Sequence, residues 1–167
     1  MFLNKSKVFL SLTKARLSFS VVFSTLAGYI LAVDVVNFVD LVLLLFGGYC
    51  MVGASNSFNQ IIEKDKDALM DRTKSRPLPT KKISTSNAFW ISVLLTLTGL
   101  GILYTINYKT AFFAAVSVFI YTCIYTPLKP ITPLSVFVGA IPGAIPFMLG
   151  WVAATNSFGI EPGTLFM

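Results

Sequence analysis

Asn59, Glu63, Asp67 and Asp71 recur every four residues along one stretch of the chain. On an α-helix that spacing stacks them on one face, drifting by about 40° per step at 3.6 residues per turn. Like charges four residues apart repel and weaken a helix, so a plain solvated helix would interleave lysines on that face. Lys64 and Lys66 instead fall off it. Carboxylates and an amide oxygen are the hard donors that Mg²⁺ takes, while it keeps several waters and bridges to phosphate oxygens. Arg72, Lys74 and Arg76 follow at once. Guanidinium groups bind phosphate oxygens bidentately. Acids for a magnesium ion beside arginines for phosphate describe a site for a lipid diphosphate. The plainer alternative is a charged loop whose acids and bases neutralise one another.

Further along, Tyr125 and Lys129 stand four apart with Pro127 between them. Lys129 could add a cation to the same diphosphate and Tyr125 could donate a hydrogen bond to it. An interfacial Tyr and Lys also serve as ordinary membrane-surface anchors. Gly139, Pro142, Gly143 and Pro146 lie in one apolar run. Such residues permit kinking and close helix contact, or a kink that widens a cavity. The chain has no histidine, and Cys50 and Cys123 have no partner spacing. That argues against a zinc or haem-iron site built from protein ligands. Both cysteines read as small apolar packing residues.

The elements that must position these residues are set by charge placement. Of the 167 residues 55% are apolar and only 12% charged, against about 25% in a soluble domain. No charge falls between Arg16 and Asp34, Asp40 and Glu63, Lys82 and Lys109, Lys109 and Lys129, or Lys129 and Glu161. Each gap holds the roughly 17–25 apolar residues of a membrane-spanning helix. The predicted spans are about 17–33, 41–62, 87–107, 110–126 and 132–154. The sequence thus predicts an all-α, multi-pass transmembrane bundle of about five spans, a single domain over 1–167. A polar motif loop runs over about 63–87. The second span is expected to continue unbroken as helix through Thr73 and to stop at Pro77-Leu78-Pro79.

If the spans alternate, every Lys and Arg except Lys109 falls on one side. The positive-inside rule places that side, with the N-terminus, in the cytoplasm. The net charge of +6 then reflects topology and gives no reason to expect nucleic acid as a partner. The apolar run beginning around Pro162 reads as the opening of a sixth span in a longer protein.

From Asn59 to Pro79 the sequence resembles the UbiA-type intramembrane prenyltransferases. Their Asn-x3-Asp-x3-Asp signature appears as Asn59-x3-Glu63-x3-Asp67, followed by Arg72-Thr73-x2-Arg76-Pro77-Leu78. Their Tyr-x3-Lys element matches Tyr125 to Lys129. Among subfamilies it looks most like the one that farnesylates protohaem IX. The shared features are Asn59-Gln60, the run Asp67-Ala68-Leu69-Met70, Leu128-Lys129 ahead of Thr132-Pro133, and Gly143 to Trp151. Glu63 stands where Asp is commoner and Ala15 where Pro is frequent. The family's second acidic motif and the subfamily's later histidines are absent.

The resemblance implies about nine spans in the full protein, of which this chain would be the N-terminal half, inactive alone. It implies Mg²⁺ held by Asn59, Glu63 and Asp67, and diphosphate held by Arg72, Arg76 and Lys129, with Tyr125 assisting. Asp71 and Arg16 are secondary candidates. The implied donor is farnesyl diphosphate and the implied acceptor haem B, giving haem O in the bacterial cytoplasmic membrane. A prenyltransferase for an aromatic or quinone-precursor acceptor would share the first motif. A non-catalytic membrane subunit is the third reading. The Asp-Gly-x2-Ala-Arg pattern of CDP-alcohol phosphotransferases is not present.

Overall fold

The computed structural model describes residues 2–166, with side chains described over 5–164. The helices are α1 (Phe2–Leu12), α2 (Ala15–Leu31), α3 (Phe38–Leu69), α4 (Thr85–Ile106) and α5 (Tyr108–Phe119). A π-helical segment, Ile120–Tyr125, joins α5 to the short α6 (Thr126–Leu128). Then come α7 (Ser135–Thr155) and α8 (Ile160–Phe166). Among the described residues, four stretches are long and apolar enough to cross a membrane: α3, α4, α5 through α6, and α7. The apolar α2 is shorter, at 17 residues. Together they make a multi-pass membrane bundle with the predicted number of spans. Phe19, Phe23, Leu94, Leu97 and Phe137 point outward, as lipid-facing side chains do.

Side-chain caps fix where the helices begin. The Asn37 side chain accepts the Val39 and Asp40 N–H groups at the start of α3. Ser84 accepts the Asn87 N–H at the start of α4. Each satisfies donors that the first helical turn leaves without a partner. The interior is one apolar cluster around Tyr29, Leu44, Met51, Leu103, Met148 and Val152. A smaller cluster of Leu12, Leu78 and Ala88 seats α1 and the turn after α3 against α4.

Helices α2 and α7 meet backbone to backbone. A Cβ at Gly28 would lie 1.9 Å from the Phe147 carbonyl oxygen, and one at Gly150 would lie 2.1 Å from that of Thr25. The close contact expected of small residues is made by Gly139, against the Tyr125 ring, and also by Gly28 and Gly150, while Gly143 has open space around it. Pro142 and Pro146 lie inside a continuous α7. The hollow beside Pro146, enclosed by α2, α3, α4, α5 and α7, holds only about 40 Å³. These spans alone enclose no chamber there for a bulky substrate.

One expectation about the extent of the helices is corrected. Helix α3 ends at Leu69, with Met70 in extended conformation, rather than running on through Thr73 to Pro77. The Thr73 hydroxyl donates to the Asp67 carbonyl, and the Thr73 and Lys74 amides donate back to the Met70 carbonyl. The N-terminal basic segment ahead of the first predicted span is itself largely a helix, α1.

Candidate active site

The site lies where α3 leaves the bundle, at the lysine-rich end. A cleft of about 450 Å³ is lined by Lys14, Asn59, Glu63, Lys66, Asp67, Arg72, Thr73, Arg76, Tyr121 and Lys129, with Leu17, Met70 and Pro130 as apolar edges. Asn59, Glu63 and Asp67 thus face one hollow, as four-residue spacing on one helix requires. Asp71 does not join them. It lies beyond the end of α3, almost wholly exposed, and pairs with Lys74 at 2.6 Å. Arg16 is exposed and outside the cleft. Lys66, expected to fall off the acidic face, lines the cleft.

Each oxygen donor is already engaged by a neighbour. Arg76 Nη1 sits between both Asp67 carboxylate oxygens, at 2.8 and 2.7 Å, and Asp67 is 3% exposed. Lys129 Nζ donates to Glu63 Oε1 at 3.1 Å. Lys14 Nζ donates to Asn59 Oδ1 at 3.2 Å, and Asn59 Nδ2 donates to the buried Thr126 hydroxyl. Five cations therefore face two carboxylates in one cleft. Burial, reinforced by the Arg76 charge, pulls the Lys14 ammonium down to about 8, while Glu63 and Asp67 partly offset this.

Lys14 enters the cleft because the chain breaks between α1 and α2. Its backbone is left-handed, with φ 48. Three polar residues of α3 hold the break in place. Gln60 Nε2 donates to the Ser11 and Leu12 carbonyls at 3.1 and 2.7 Å. The Ser57 hydroxyl donates to the Leu12 carbonyl, and Asn56 Nδ2 to the Thr13 carbonyl and the Ser18 hydroxyl. These satisfy acceptors that the end of α1 would otherwise bury unpaired. Gln60 Oε1 is buried without a hydrogen-bond partner.

The π-helical segment sets the other wall. Tyr121 lines the cleft and Tyr125 does not. The Tyr125 ring instead packs on Gly139 and on the Tyr121 ring, with centroids 5.3 Å apart. An α-helix would put Tyr121 and Tyr125 on one face, but the wider π turn between them shifts the register, while an α turn still links Tyr125 to Lys129, whose amide bonds the Tyr125 carbonyl at 2.9 Å. The Thr126 hydroxyl bonds the Tyr121 carbonyl at 2.7 Å, five residues back, and so holds that turn while bracing Asn59.

The donor set can be weighed against Mg²⁺. Among the described residues no group of three or more His, Cys, Asp or Glu gathers to hold a metal alone. Two carboxylates and an amide oxygen line the cleft, beside cations suited to phosphate. That fits the habit of Mg²⁺, which uses one or two carboxylates and completes its shell with water and substrate phosphate.

A helical membrane bundle with a cation-rich cleft at one mouth is the form of an intramembrane prenyltransferase, and residues 21–167 match the UbiA prenyltransferase family, to which the chain belongs. Within it, the chain is 64% identical over 162 residues to a protein named protoheme IX farnesyltransferase from Flavobacterium psychrophilum, covering 95% of this chain and 54% of that protein. A protein of the same name from Cytophaga hutchinsonii is 45% identical over 162 residues, covering 96% of this chain and 57% of the relative. The chain thus spans about half the length of the curated relatives it matches. Two solved structures share the fold. A digeranylgeranylglyceryl phosphate synthase has a TM-score of 0.87 at 22% identity, over 97% of this chain and 57% of that one. A UbiA homologue from Archaeoglobus fulgidus bound to DMAPP and Mg²⁺ has a TM-score of 0.80 at 20% identity, over 95% of this chain and 58% of that one.

Proposed function

We propose that this chain supplies the diphosphate-binding half of an enzyme that transfers a farnesyl group from farnesyl diphosphate to a vinyl group of haem B, giving haem O. The observation that carries this reading is the cleft, where five cations, two carboxylates and Asn59 meet at the mouth of an apolar bundle. The names of the similar proteins support the donor and the acceptor. By the positive-inside rule the cleft faces the cytoplasm, in a bacterial inner membrane.

The reaction begins when the allylic C–O bond of the donor breaks and its electron pair passes to the diphosphate oxygen. Charge develops on the leaving group, and groups fixed in advance around it lower the barrier. Lys14, Arg72, Arg76 and Lys129 bind and orient the diphosphate. With Arg76 and Lys129 drawn to phosphate oxygens, Asn59, Glu63 and Asp67 would be the residues that hold Mg²⁺. When bound, Mg²⁺ supplies Lewis-acid stabilisation of the leaving diphosphate. Tyr121 is placed to donate a hydrogen bond to it. The apolar spans keep water from the allylic cation until the terminal vinyl carbon bonds to its C1. A water then adds as hydroxyl, with loss of a proton, to the cation left on the carbon beside the porphyrin ring.

The test uses the full-length protein in nanodiscs. Glu63→Ala and Asp67→Ala should each abolish Mg²⁺-dependent farnesylation of haem B. Normal turnover in both variants would remove the metal role. Turnover of a hydroxybenzoate in place of haem B would move the acceptor to the aromatic class.

A further inference from the structure

A second basic hollow lies outside this cleft. It is a groove of about 800 Å³ between α1 and the start of α4. Lys5 borders it from α1, and Lys81 and Lys82 from the turn before α4. Its apolar lining includes Phe9, Trp90 and Ile91, and no carboxylate lines it. Asp65 lies in a neighbouring hollow on the far side of Lys81. Trp90 is 64% exposed one to two turns into α4, where an aromatic side chain marks the boundary between headgroup and acyl chain.

We propose that this groove is a binding site for an anionic glycerophospholipid of the surrounding leaflet. The three ammonium groups take the phosphate and headgroup charge. Phe9, Trp90 and Ile91 lie alongside the first carbons of an acyl chain. A protein partner would bring its own carboxylates to the lysines but would have no cause to follow the apolar wall down a membrane-spanning helix. A free phosphate would use the lysines and leave that wall bare. Lysine clusters at the membrane face recognise anionic lipid in this way, chiefly as point charges. The site is distinct from the diphosphate cleft, whose lining shares no residue with it.

Trp90 supplies the probe. Full-length protein is placed in nanodiscs carrying a small fraction of brominated phosphatidylglycerol or of brominated phosphatidylcholine, and the quenching lost in Trp90→Phe is assigned to Trp90. Quenching by the brominated anionic lipid should exceed that by the zwitterionic one by about fivefold at equal mole fraction. The preference should vanish in the triple variant Lys5→Gln, Lys81→Gln, Lys82→Gln and return in the corresponding Lys→Arg triple. Equal quenching by the two lipids overturns the proposal, as does a preference that survives the Gln triple. Absence of quenching by either lipid does the same, since another part of the protein would then fill the groove. Millimolar inorganic phosphate should leave the signal unchanged, and displacement by it would make this a free-anion site. None of these readouts depends on farnesyl transfer, so failure here and failure of the proposed activity are separable.

Discussion

At one end of the bundle Asn107 directs its whole side-chain amide at its own protein. Its oxygen accepts from the Thr110 amide and hydroxyl, and its nitrogen donates to the Val152 and Ala153 carbonyls, which ties α4 and α5 to the end of α7. At the other end Asn59, Glu63 and Asp67 meet side-chain cations across an open cleft. Both ends put polar groups among apolar helices. Bonds to backbone have nowhere else to go, so the first end is a closed fastening. Ion pairs between mobile side chains can change partners, and with cations in surplus the second end is prepared for an added anion.

The largest expected effect tests that contrast at Asp67. Asp67→Asn keeps a hydrogen-bond acceptor for Arg76 but removes the charge, and should lower kcat/KM of the full-length enzyme by about 10²–10³-fold. Thermal stability should change little. A variant that melts early yet keeps its rate would make this end a fastening too. Asn107→Ala should do the reverse. Losing its bonds should cost about 2 kcal/mol, read as a lower melting temperature in detergent, with kcat of the folded fraction unchanged.

The two tyrosines of the π-helical segment sharpen the contrast further, one lining the cleft and the other outside it. Tyr121→Phe should raise KM for the diphosphate about tenfold, the worth of one hydrogen bond to a charged group, and Tyr125→Phe less than about twofold. Equal effects would mean that the π turn does not set which hydroxyl faces substrate. A smaller effect than that of Tyr121→Phe is expected at Gln60→Met. Two bonds to the end of α1 are lost, but so is a buried oxygen with no partner, and the two partly cancel. A rise in KM of about threefold, with kcat held, would show that Gln60 acts by placing Lys14.

The spans were legible because charge is excluded from the bilayer core, and the gaps in charge mark them directly. The acidic row from Asn59 to Asp67 was legible because its period is that of a helix. The row failed at Asp71, since nothing in local spacing says that Thr73 will turn back on the Asp67 carbonyl and end α3 early. That Tyr121 lines the cleft and Tyr125 does not was hidden, as spacing alone does not reveal the π turn that sets the two tyrosines apart. Lys14 could not be found from its neighbours. Its place in the cleft depends on Asn56, Ser57 and Gln60, more than 40 residues away, which hold the carbonyls around it. The run of small polar residues inside an otherwise apolar span was the available signal, because buried amides need partners.

Helix α3 has 32 residues, and at 1.5 Å each it is about 48 Å long. The hydrocarbon layer is about 30 Å thick, so the last turns of α3, with Glu63 and Asp67, stand at the height of the lipid phosphates. The proposed donor, a prenyl diphosphate floating in the bilayer, carries its own phosphates at that same depth. It can arrive by sideways diffusion without leaving the lipid. The relevant concentration is then mole fraction in the bilayer rather than molarity in solution, and adding inert lipid at constant total substrate should slow the enzyme by simple dilution of the surface.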